Sequence, residues 1–132
     1  MALFDSIGIA ETGVSVHRKW LDAVADNIAN VNNATSTAGP AFQARYVVAR
    51  SRGEDGGVTV GGVLSGDAEG KIVYEPTNPL ADANGNVRYP DIDLGEQMGQ
   101  LIMAQRGYQA NLAVVDRAKT AYEAALQLGR GA

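Results

Sequence analysis

The sequence predicts a mainly α protein with a β insert, in which the N- and C-terminal helices pair as a coiled-coil-like hairpin and a short β-hairpin or irregular segment lies between them. Three observations lead there. Apolar residues recur at alternating steps of three and four at both ends, all four prolines and most of the glycines fall in between, and that middle stretch holds short β-prone runs. The expected division is a discontinuous helical domain, residues 1–35 and 93–132, around a Gly/Pro-rich β insert, residues 36–92.

The first helix is expected over about residues 4–31. Its stripe runs through Ile7, Ala10, Val14, His17, Leu21, Val24, Ile28 and Val31, and only His17 interrupts it. A sustained 3,4 repeat keeps one narrow face toward a partner helix. The C-terminal stretch "LDAVADNIANVNNAT" ends unusually polar, with Asn27, Asn30, Asn32, Asn33 and Thr35 crowding its last turn and the exit. Asn and Thr side chains can bond free backbone groups where a helix stops, and their amides can also set register against neighbours.

Within the insert, strands are expected at 45–49, 58–64, 71–75 and 86–90, making one or two hairpins. "ANGN" at 83–86 reads as a turn, because Asn-Gly tolerates positive φ, and "GEDGG" at 53–57 reads as a mobile tip.

The last helix is expected over about 94–127. Its stripe comprises Leu94, Met98, Leu101, Gln105, Tyr108, Leu112, Val115, Lys119, Tyr122 and Leu126, flanked by Ala104, Ala118 and Ala125. Asp93 with Glu96 three residues later has the spacing of a capping box, and Gly129 reads as the stop. Gly107, inside this helix, costs about 1 kcal/mol relative to Ala. It is either a tolerated defect or a place where another helix backbone comes close.

At 132 residues the chain predicts one compact architecture, and two long helices with little else to bury suggest a fold that gains stability from further partners. A net charge of −4 argues against the basic face that nucleic acid needs. The absence of cysteine removes disulfides, thiolate nucleophiles and Cys-ligated zinc. No apolar run approaches a bilayer span, and Asp5 and Glu11 stand where a cleaved secretory signal would carry basic charge, so neither an integral membrane protein nor a cleaved signal is expected.

The chemical motifs are weak. His17 is the only histidine and reads as a seam residue, since Ser15, two positions away, points to another face. "DANGNV" from Asp82 imitates the start of a calcium loop, but Val87 occupies the position where the loop needs Gly. "GDAEGKI" lacks the spacing of a phosphate loop. No cofactor, metal or small-molecule substrate is expected.

Three segments carry a resemblance. "LDAVADNIANVNNAT" (21–35) resembles the N-terminal signature of the flagellar basal-body rod and hook proteins, and "EQMGQLIMAQRGYQANLAVVDRAKTAYEAAL" (96–126) resembles their C-terminal signature. "VYEPTNPLADANGNVRYPDIDL" (73–94) looks like the middle of a short, proximal-rod member of that family.

The resemblance implies a non-catalytic subunit of the flagellar rod. Such a subunit assembles helically with copies of itself and other rod proteins into the driveshaft that crosses the periplasm and transmits torque from rotor to hook, and leaves the cell through the flagellar export apparatus without a cleaved signal. It implies assembly contacts at Leu21, Asn27, Ile28 and Asn30 in the first helix and at Leu101, Gln105, Arg106, Tyr108, Asn111 and Leu112 in the second. The alternatives are another proximal rod subunit of the same family, against which the segment 73–94 argues, and a soluble coiled-coil adaptor, which the stripes alone predict.

Overall fold

The computed structural model describes residues 2–131. Helix α1 (Ala2–Asn30) leads into two antiparallel hairpins, β1 (Arg45–Ser51) with β2 (Val58–Ser65) and β3 (Lys71–Tyr74) with β4 (Asn86–Tyr89), and the chain closes with α2 (Leu94–Arg130). Each predicted element is present.

The helices lie antiparallel, as the pairs Phe4–Tyr122, Gly13–Asn111, His17–Gly107 and Asn27–Gln97 require. Among the described helices and strands, α2 packs on α1 alone, whereas α1 also carries the β1–β2 hairpin. α1 is therefore the middle layer, and its residues serve two partners. The core between these layers is thin: Ala10, Ala23, Ala104 and Ala118 are buried, with Val16 and Val24, so the backbones approach closely where side chains are short. Two of the four largest fully buried side chains are amides, Asn27 and Gln97.

Two sequence expectations are corrected. α2 does not stop at 127 before Gly129. It runs through Gly129 to Arg130, and the amide of Gly131 closes the end on the Leu128 carbonyl. Nothing lies near Gly129 that would force a break, and a single glycine costs too little to end a long helix. The tip at 53–57 is not a free projection either. Gly53–Asp55 forms a 3₁₀ turn, the amide of Val58 donates to Thr12 Oγ1 at 3.0 Å, and a Cβ on Gly57 would stand 2.5 Å from the same oxygen. Gly57 combines φ +85° with this close approach, so only glycine lets the loop sit on α1.

The β1–β2 ladder pairs Arg45 with Ser65 and Ser51 with Val58, with a bulge that leaves Gly61 unpaired between Val60 and Gly62. In the second hairpin Lys71 pairs with Tyr89 and Tyr74 with Asn86. Its turn is held by Asp82, whose carboxylate accepts the amides of Asn84 (2.8 Å) and Asn86 (3.0 Å) and the Thr37 hydroxyl (2.9 Å). The positive φ expected at "ANGN" falls on Gly85, at +79°. An isolated bridge, Thr35 with Arg88, ties this hairpin to the chain leaving α1.

Candidate assembly interface

The polar end of α1 has a specific use. Asn27, fully buried, accepts the Arg45 amide on Oδ1 (2.8 Å) and donates from Nδ2 to the Arg45 carbonyl (3.0 Å) and to Gln97 Oε1 (3.0 Å). One amide side chain thus pairs with the first residue of β1 as a neighbouring strand would, and also holds the first turns of α2. Asn27 is the junction of the end of α1, the entry to the insert and the return helix. Asp26 adds an exposed ion pair to Arg45 at 3.0 Å, a minor contribution at the surface. Asn30 works locally: its Nδ2 donates to the Asp26 carbonyl and its Oδ1 accepts from Asn33. Thr35 carries the chain away by exchanging backbone hydrogen bonds with Arg88.

Further along the seam, two glycines each receive a polar side chain from the opposite helix. The His17 ring occupies the space above Gly107, and the Asn111 amide the space above Gly13. In either place an added Cβ would overlap the incoming group. Both keys are tethered to the glycine one turn before them on their own helix. His17 Nδ1 bonds the Gly13 carbonyl at 2.7 Å, and Asn111 Nδ2 donates to the Gly107 carbonyl at 2.8 Å. Gly107 is thus neither a tolerated defect nor a meeting of backbones, since it accommodates an imidazole. Trp20 completes the seam by donating its indole N–H to Gln100.

This polar and small-residue seam consumes only part of the apolar stripe. On α2 the residues turned to α1 include Gln97, Ala104, Gly107, Asn111 and Ala118, which lie to one side of the predicted line. Leu94, Met98, Ile102, Leu112 and Leu126 remain exposed, at 38–49%. Beyond the edge-to-face contact of Phe4 with Tyr122, the last turns of α2 outrun α1, and Leu128 is 79% exposed.

The residues expected at the interface divide accordingly. Gln105, Arg106 and Leu112 are exposed, and Leu21, Ile28, Asn30, Leu101 and Tyr108 are half-buried. Asn27 is enclosed by its own chain, where its hydrogen-bonding groups are all satisfied, and half-buried Asn111 is spent on the Gly13 notch. Both amides make these hydrogen bonds within the single chain. Gln97 and Gly13 were not anticipated as seam residues, because an amide or a glycine beside an apolar stripe carries no signal of burial.

A family model described as the C-terminal part of the flagellar basal-body rod FlgEFG proteins matches residues 83–128, from the turn before β4 through Gly107 and Asn111 of α2. The flagellar basal-body rod protein FlgC of Salmonella typhimurium is 38% identical, covering 98% of this chain and 100% of that protein. The chain belongs to the FlgC family of flagellar basal-body rod proteins. The FlgC proteins of Escherichia coli O157:H7 (37% identical) and Borreliella burgdorferi (28%) also align over 98% and 99% of this chain. The match to the FlgC relatives spans helices and insert alike. No described helix is long and apolar enough to cross a membrane.

Proposed function

We propose that this chain is a structural subunit of the proximal rod, whose terminal helices pack against those of neighbouring copies and of other rod proteins to build the wall of a tube. The observation that carries the reading is the exposed ridge on α2. Leu94, Met98 and Leu112 of the 3,4 stripe, with Ile102 beside them, form an apolar face that the chain's own α1 leaves open. Apolar surface of this kind gains about 25 cal/mol for each Å² removed from water, and a heterologous contact that does not close generates a helical array. Leu21, Ile28, Leu101 and Tyr108, half-buried in the single chain, complete the contact. The hairpins face away from the wall and touch adjacent subunits.

In this role the protein transmits torque and catalyses no reaction. It resides in the rod where that crosses the periplasm and reaches it through the flagellar export apparatus without a cleaved signal. Quantitative mass spectrometry of purified hook–basal bodies tests the reading. A fixed ratio of this chain to the other rod subunits is expected, and its absence from complete basal bodies would overturn it.

A further inference from the structure

The ridge has a counterpart in the seam, where the side chains are unlike those of an ordinary coiled coil. Three cross-helix pairs, 13 with 111, 17 with 107 and 27 with 97, stand in one register. Moving four residues from 13 to 17 on α1 matches four from 111 to 107 on α2, and ten from 17 to 27 match ten from 107 to 97. Of the glycines within the two helices, only Gly13 and Gly107 face a side chain of the opposite helix; nothing approaches Gly8, Gly99 or Gly129.

We propose that Gly13, His17, Gly107 and Asn111 form a two-key register lock that decides which side chains the helix hairpin buries and which it presents outward. The 3,4-spaced stripes alone are nearly periodic, so sliding one helix by a heptad would again match apolar with apolar. Such a slide puts His17 against Gln100 or Val114 and Gly13 against Ala104 or Ala118. His17 then has no notch, Asn111 loses its own, and Asn27 parts from Gln97. A polar side chain that fits only one place excludes the other registers more sharply than it stabilises its own, as a single buried Asn does in a coiled coil. Each key is held by the carbonyl one turn away, so it cannot swing aside without leaving that bond. The lock acts within one chain. Its consequence for assembly, that the ridge is displayed in one alignment, rests on the rod reading above.

The test is allele-specific compensation, read in two ways. In the purified full chain, Gly107→Leu should lower the midpoint of helix unfolding followed by circular dichroism. Leu is a good helix former, so the loss comes from the occupied notch. Adding His17→Ala should restore most of the midpoint, whereas adding Asn111→Ala should lower it further. Gly13→Leu should show the reverse preference, restored by Asn111→Ala and not by His17→Ala. In a strain deleted for this gene, the same alleles should lose and regain swimming in the same pattern. A Gly107→Leu chain that unfolds like wild type, or one that either alanine restores equally well, overturns the lock. A deletion strain that swims normally would overturn the rod reading, and the unfolding midpoints alone would then decide whether the lock stands.

Discussion

Asn27→Ala removes three hydrogen bonds at one position. The bond to Gln97 Oε1 is wholly buried, so its loss strands an acceptor away from water at about 1–3 kcal/mol. The two bonds to the Arg45 backbone are only partly buried, water can re-enter there, and each loss costs about 1 kcal/mol. The expected total is about 3–5 kcal/mol, which for a chain of this length lowers the midpoint by roughly 10–20 °C. Trp20 supplies the readout. It is the only tryptophan, and its indole N–H bridges to Gln100 across the helix seam, so its emission reports separation of α1 from α2. Gln97→Met, which keeps most of the volume and removes one of the three bonds, should cost clearly less. If Asn27→Ala unfolds within about 1 kcal/mol of wild type, or Gln97→Met costs as much as Asn27→Ala, then Asn27 is not the junction between the two helices and the insert.

Leu112→Asp puts a charge at a ridge position that is 38% exposed, so the purified chain should lose no more than about 1 kcal/mol, from helix propensity and partial burial, while pull-down of basal bodies recovers none of it; normal incorporation would remove this residue from the interface. Asp82 should titrate below the ordinary carboxylate range, because the Asn86 amide, then the Thr37 hydroxyl and the Asn84 amide, favour its charged form. Its contribution to the second hairpin is therefore complete at neutral pH and is lost as pH falls through the depressed value. Carboxyl chemical shifts should record that low midpoint, and Thr37→Val should raise it. Thr12→Val leaves the Val58 amide without its acceptor, so hydrogen exchange at Val58 should accelerate while amides in the second hairpin are unchanged.

The legible parts of the fold were those set by local chemistry. All four strands begin where β-prone runs begin, because glycine and proline punctuation bounds them, and Asp93 caps α2 by accepting the Glu96 amide at 2.7 Å. The second half of the expected capping box was not so readable, as the Glu96 carboxylate accepts from Gln100 instead. The turn at Gly85 followed from the need for positive φ. Membership of the rod family was legible in the two terminal signatures, which are contiguous motifs.

What the sequence by itself determined was the period of each segment: two long helices, a broken β middle, and one apolar stripe on each helix. Periodicity states that a stripe exists, yet several rotations of a helix about its axis satisfy the same repeat. Only the tertiary structure decided which flank of each stripe is buried, and it chose the flank carrying Gly13, Asn27, Gln97 and Gly107 over the more apolar one. The reason is distance and valence. An amide such as Asn27 is tolerable in a core only when partners 18 and 70 positions away arrive to satisfy it, and a glycine becomes a notch only when a side chain from the other end of the chain lies across it.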